Sequence, residues 1–243
     1  MLLKNIDILD HPSKLNSLPE GKLLINTINA HSYNMAKKDA LYAEALAKGD
    51  VLIPDGVSIV KAIKLLKGIK MQRIAGWDLF VFEMNKLNIR SGVCFFLGSS
   101  NNVLNVIRER AAVDYPRVRI EAYSPPYKPV FSEEDSNAMI EAVNAVNPDL
   151  LWIGMTAPKQ EKWIYTHWDK LNINCHVGAI GAVFDFYAGT VKRAPEKWQK
   201  AGFEWLYRLI KEPRRLWKRY LIGNALFVNY IVREMLFSEK SKI

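Results

Sequence analysis

Three short stretches of this chain combine residue types that can do chemistry at spacings that bring them side by side. Ile53-Pro54-Asp55-Gly56 follows a short apolar run and precedes a helical pattern. A carboxylate at a strand end can accept a proton from a bound hydroxyl. The same tetrapeptide also serves as a plain Asp–Gly turn or a helix N-cap. Gly154-Met155-Thr156-Ala157-Pro158-Lys159-Gln160-Glu161 likewise lies between a strand and a helix. Pro158 suits the first helical turn, and the open N–H groups there, with Lys159, would suit a phosphate. Gln160 and Glu161 offer an amide and a carboxylate to a hydroxyl or a base, an ordinary helix start being the alternative. In Gly178-Ala179-Ile180-Gly181-Ala182-Val183-Phe184-Asp185-Phe186, small residues let a ligand approach the backbone closely.

Other devices are missing. The last stretch is not Gly-x-Gly-x-x-Gly, and no phosphate loop of the Gly-x-x-x-x-Gly-Lys type occurs. There is no Asp-x-Asp, the metal–diphosphate device of many sugar transferases, so a chemistry without metal or other cofactor is expected. His176 lies in an apolar run and reads as a satisfied core residue, while His31 and His167 are site or surface residues. Cys94 and Cys175 read as small core residues rather than a disulfide framework.

Such loops need a scaffold that presents strand ends along one edge. Short apolar runs at 22–28, 51–53, 93–97, 118–122, 150–154 and 173–177 read as buried parallel strands. Helical patterns at 33–48, 58–67, 101–113 and 132–146 alternate with them. The alternation predicts an α/β domain, a Rossmann-like parallel sheet flanked by helices, over residues 1–194. From Pro195 onward helical periodicity takes over, giving a C-terminal basic amphipathic helical appendage over 195–243. Pro213 predicts two helices or a kink there. Arg208, Lys211, Arg215 and Lys218 recur at helical spacing, with Leu206, Leu209, Leu216 and Tyr220 on roughly the opposite face.

The chain has 243 residues, 49% hydrophobic and 24% charged, which argues against disorder and fibrous structure. Its net charge of +9 is uneven: residues 191–243 carry +8 and the first 190 only +1. A basic tail suits nucleic acid, anionic lipid or a phosphorylated substrate. The site-like loops lie outside that tail, which speaks against a nucleic-acid partner. The apolar stretch from Tyr220 to Val232 falls short of the ~20 residues a membrane-spanning helix needs. The opening Met1-Leu2-Leu3-Lys4-Asn5-Ile6-Asp7 lacks the apolar core of a secretory leader, so a cytoplasmic setting is expected. Apolar faces of the tail can pack on the body or on a second copy, which leaves a homo-oligomer open.

The ordered set of motifs is more specific than any one of them. It runs Thr27-x-Asn29, Ile53-Pro54-Asp55-Gly56, Arg73-Ile74-Ala75-Gly76-Trp77-Asp78-Leu79, Leu97-Gly98 and Ala157-Pro158-Lys159-Gln160-Glu161. It continues through Gly181–Gly189, Lys192-Arg193-Ala194-Pro195, Glu204–Leu209 and Glu212-Pro213-Arg214-Arg215. Over roughly residues 20–220 the chain resembles the WecG/TagA/CpsF glycosyltransferases, family 26. The resemblance implies metal-independent, inverting transfer of a hexose-type sugar, N-acetylmannosamine or its uronic acid foremost, from a UDP-sugar donor. The implied acceptor is a polyprenyl-diphosphate-linked sugar at the inner face of the cytoplasmic membrane, in surface polysaccharide synthesis. The appendage would associate peripherally with that membrane.

By motif, Asp55 matches the general base, and Thr27 and Asn29 match residues lining its pocket. Arg73 matches an arginine near the donor diphosphate, and Lys159, Gln160 and Glu161 match the donor-site motif. Gly181, Phe184, Asp185 and Arg193 fall in further matching motifs. Arg208, Arg214, Arg215 and Arg219 lie in the appendage, where guanidinium groups can stabilise a leaving diphosphate in place of a metal. Thr156 departs from the glycine of many members and bears on the donor sugar. Two further readings stay open beside this one: another nucleotide-sugar-binding enzyme with a soluble acceptor, and a non-catalytic basic nucleic-acid-binding or scaffold protein.

Overall fold

In the computed structural model, which describes residues 2–239, six short apolar runs form strands. Met1 of the opening segment and residues 240–243 of the expected appendage lie outside the described residues. β1 (Leu23–Ile28) leads through α1 (Ala30–Ala36) and α2 (Ala40–Ala47) to β2 (Val51–Pro54). α3 (Val57–Lys67) and α4 (Gly76–Arg90) connect to β3 (Gly92–Gly98), and α5 (Asn101–Asp114) connects to β4 (Val118–Tyr123). α6 (Glu133–Val146) leads to β5 (Leu150–Gly154), and α7 (Lys159–His167) to β6 (His176–Ala179). Then follow α8 (Val183–Ala188), α9 (Glu196–Lys200), α10 (Glu204–Lys211), α11 (Pro213–Trp217) and α12 (Gly223–Glu239).

The strands form one sheet in the order β2-β1-β6-β5-β3-β4, and every neighbouring pair is parallel. This is the expected Rossmann-like α/β fold. Both faces are covered, so the central strands are apolar on both sides. Cys94, Phe96, Leu150 and Trp152 pack toward Phe80 of α4, Ile107 of α5 and Phe184 of α8. The alternate residues Phe95, Leu97, Leu151 and Ile153 pack toward Met139 and Val143 of α6 and Trp163 of α7.

Three differences from the sequence reading have local causes. The expected helix at 33–48 is two helices, because the Asp39 carboxylate accepts the Tyr42 N–H (3.0 Å) and starts α2 afresh. The last strand begins at His176, not Ile173. Ile173 and Cys175 are buried but lie outside the strand, where burial alone makes them strand-like in sequence. α7 begins at Lys159, with Pro158 just outside it. The long helix α4 is not among the expected elements, although its buried Gly76, Leu79, Phe80, Glu83, Met84 and Leu87 recur at helical spacing. Its Asp78 side chain accepts the Ala75 N–H (2.8 Å) and closes its first turn.

The helical tail is more broken than expected. Glu212 leaves helical backbone between α10 and α11, and residues Lys218–Ile222 form a π-helical turn before α12. α12 packs Phe227 and Ile231 against Tyr33, Ile59 and Ile63. The buried Glu234 carboxylate accepts from the Tyr33 hydroxyl and from the Lys4 N–H, both at 2.6 Å. No described helix is long and apolar enough to cross a membrane.

Candidate active site at the carboxyl edge of the sheet

All six strands run the same way, so their carboxyl ends share one edge, where ligands of open α/β sheets bind. A cavity of about 750 Å³ lies there. Each strand contributes: Thr27, Asp55, Ser99, Ser124, Met155 and Gly181 stand at or just beyond the six strand ends. Gly98 keeps β3 close to β5: its φ is +123°, and a Cβ there would lie 2.5 Å from the Gly154 carbonyl oxygen.

Asp55 is held by its N–H, which donates to the Ile28 carbonyl (2.9 Å). The loop after α3 is pinned beside it, because the Ile74 N–H donates to the Pro54 carbonyl (3.1 Å). That places the Arg73 guanidinium 3.7 Å from the Asp55 carboxylate and 2.7 Å from that of Glu204. Glu204, the first residue of α10, also lies 3.9 Å from Arg193. The tail thus reaches the edge of the sheet through an alternating charge network. Burial pushes the Asp55 carboxyl up to about 6, against the pull of Arg73 and with help from the Glu204 and Asp78 carboxylates. A carboxyl poised there is ionised at neutral pH and still basic enough to take a proton.

Elsewhere on the same lining, the Gln160 side chain is locked. Its Oε1 accepts the Met155 N–H (3.1 Å) and its amide donates to Glu161 (2.9 Å). Burial pushes the Glu161 carboxyl up to about 7, and its second oxygen has no protein partner. Buried Tyr42 lies on the same cavity lining. Asn29 caps α1, its side-chain oxygen accepting from His31 and Ser32. The Lys159 ammonium donates to the Lys128 carbonyl (2.8 Å).

A second cavity of about 630 Å³ lies between α3, the start of α10 and α12. Asn29, His31, Asp55, Arg73, Glu204, Arg208 and Arg219 line both cavities. The Nε atoms of Arg208 and Arg219 are buried with no protein partner. Burial lowers the His31 imidazole to about 4, with Arg219 adding to the effect, so this wall histidine is neutral.

Of the residues expected from the sequence, the first cavity gathers Thr27, Asn29, Asp55, Arg73, Lys159, Gln160, Glu161, Gly181, Asp185, Arg193, Arg208, Arg215 and Arg219. Two are not on its lining. Phe184 is buried beneath Gly154 and packs edge-on to Phe96. Arg214 is exposed on α11, one residue and so about 100° of helix from Arg215. His176 is the expected satisfied core residue, bonded to Glu83 and to the Pro19 carbonyl (both 2.9 Å). Both cysteines are buried and free. Sequence reasoning passed over Tyr42, Ser99, Ser124 and Glu204 as site residues. Ser99 and Ser124 carried a usable signal, polar residues directly after strands, whereas Tyr42 and Glu204 arrive from distant elements. Among the described residues no three His, Cys, Asp or Glu side chains gather as metal ligands.

A parallel α/β sheet with a carboxylate and a group of arginines around one strand-end cavity is chemically suited to an anionic ligand. The chain belongs to the WecG/TagA/CpsF glycosyl transferase family, whose model it matches over residues 4–241. It is therefore a glycosyltransferase. It is similar to the N-acetylglucosaminyldiphosphoundecaprenol N-acetyl-beta-D-mannosaminyltransferase of Bacillus subtilis (strain 168), at 30% identity over 82% of this chain and 75% of the relative. The enzyme of that name from Bacillus spizizenii is 32% identical over 76% of this chain and 70% of the relative. That from Staphylococcus aureus (strain MW2) is 27% identical over 82% and 74%.

Proposed function

We propose that this glycosyltransferase moves N-acetylmannosamine, or a closely related hexose, from a UDP-linked donor to a polyprenyl-diphosphate-linked sugar, with inversion and without metal. The observation that carries the reading is Asp55 on the wall shared by the two cavities, poised as a base. In this scheme the donor occupies the strand-end cavity and the acceptor sugar enters from the α3–α12 side. Asp55 takes the proton of the acceptor hydroxyl. The freed oxygen bonds to the anomeric carbon as the bond from that carbon to the diphosphate oxygen breaks. One displacement inverts the centre, and the charge left on UDP is taken up by Arg73, Arg193 and Arg215 of the donor cavity, while Arg208 and Arg219 stand where the two cavities meet. These guanidinium groups supply what a metal supplies elsewhere. Thr27, Asn29, Gln160, Glu161, Gly181 and Asp185 orient the donor.

The relatives' names specify an acceptor on diphosphoundecaprenol, which supports the lipid-linked substrate. We assign residues 1–194 as catalytic body and 195–243 as an appendage that rests on the inner face of the cytoplasmic membrane and feeds surface polysaccharide synthesis. Exposed Ile210, Trp217, Leu221 and Ile222 beside Lys211, Lys218 and Arg215 support that placement. The test is UDP release from a panel of UDP-sugars with a prenyl-diphosphate-GlcNAc acceptor, in a chelator. Acceptor-dependent release with one donor is expected. Release that needs added divalent metal, or no release with any donor, overturns the scheme.

A further inference from the structure

The cavity between α3 and α12 has two chemically different ends. Its inner end carries Asp55, Arg73, Glu204, Arg208 and Arg219, and Lys61 of α3 also lies on its lining. Its outer part is apolar: Ala62 and Leu65 of α3 face Val228, Ile231 and Val232 of α12, with Phe203 beside them. Several of these are open to solvent, Leu65 and Val228 at 58% and Val232 at 45%. Apolar side chains left exposed around a concave surface mark a binding site. Here the hydrocarbon wall is continuous with a guanidinium cluster whose Arg208 and Arg219 Nε groups lack protein partners. The ligand complementary to such a groove is an anionic diphosphate joined directly to a long hydrocarbon chain.

We infer that the groove between α3 and α12 binds the first isoprene units of the prenyl-diphosphate acceptor. This rests on the reading of a lipid-linked acceptor above and adds where its chain runs. The diphosphate lies at the Arg208–Arg219 end, the attached sugar reaches Asp55, and the chain leaves between Leu65 and Val232. Binding the chain in protein rather than bilayer fixes the acceptor hydroxyl relative to the base. α12 suits this task because Glu234 and the Phe227–Ile231 pair hold it on the body.

The test uses the full chain with Leu65→Asp and Val232→Asp. Both sites are exposed, so the fold tolerates the acids, and neither touches the reacting groups. Two acceptors are compared, GlcNAc-diphosphate on a long prenyl chain and on a three-carbon chain. Each substitution is expected to raise KM for the prenyl acceptor about tenfold or more at unchanged kcat, because a buried carboxylate opposes the hydrocarbon. KM for the short acceptor is expected to stay the same. Equal effects on both acceptors, or none, overturn the inference. In parallel, a photoreactive geranylgeranyl diphosphate is expected to label α3 and α12. Labels confined to Ile210, Trp217 and Leu221 would place the chain in the bilayer, and labels linking two copies would make the groove a dimer contact; either result overturns the inference. If the wild type transfers to neither acceptor, the transferase scheme fails while the labelling still decides the groove.

Discussion

Replacing Asp55 by asparagine separates two consequences of setting a carboxylate between the cavities. Asparagine keeps the shape and cannot take a proton, so transfer is expected to be lost. The same change is expected to stabilise the fold. Burial lifts the Asp55 pKa from about 3.8 to about 6, and at 1.36 kcal/mol per unit the ionised form costs roughly 3 kcal/mol. About 29% of the side chain is open to the cavity, so solvent screening reduces the expected gain to about 1–3 kcal/mol. For a chain of this size that is roughly 2–4 °C in Tm per kcal/mol. The carboxyl binds its proton more tightly folded than unfolded. The Asp55 contribution to wild-type stability therefore falls as pH rises from about 4 to about 6 and carries the full penalty above that. The asparagine advantage is present above about pH 6 and vanishes below about pH 4. Urea unfolding of both proteins at about pH 7.5 and pH 4 reads this directly. A variant no more stable than wild type at pH 7.5, or one that still transfers, would refute the assignment of Asp55 as a desolvated base.

Arg73→Met removes a cation that holds the Asp55 pKa down and leaves the Glu204 and Asp78 carboxylates beside it. The acid limb of the kcat/KM profile is expected to move above the wild-type midpoint near 6. A midpoint that does not move means that Arg73 does not set the base. Glu234→Ala leaves the Tyr33 hydroxyl and the Lys4 N–H without their acceptor, at a cost of about 1–3 kcal/mol for the buried Tyr33 hydroxyl and less for the part-buried Lys4 N–H. Faster hydrogen exchange is expected in α12 before the sheet amides respond. Unchanged protection of α12 would show that the latch does not hold it.

The fold class, and the strand edge that gathers the candidate site residues, were legible in the amino-acid sequence. Parallel strands buried on both faces read as apolar runs, and glycine, proline and aspartate punctuate their carboxyl ends. Because the strands are parallel, Asp55, Met155 and Gly181 had to meet once those runs were recognised. Hydrogen-bonded starts such as Asp39 and Asp78, which reset helices within a few residues, were less legible, since their effect depends on backbone geometry. The arginines illustrate the larger limit. Arg208, Arg214, Arg215 and Arg219 are chemically alike in sequence, and helical spacing put Arg208 on the same face as Lys211 and Arg215. The break at Glu212 and the π-helical turn at Lys218–Ile222 change the phase. Arg208 and Arg219 thereby reach both cavities, while Arg214 faces solvent. Phe184 shows the converse, a residue inside a site motif whose ring supports the sheet from below. The α3–α12 groove joins segments about 170 residues apart, and no local pattern encodes it. Only the packing of α12 on α1 and α3 decided that an apolar channel ends at Asp55.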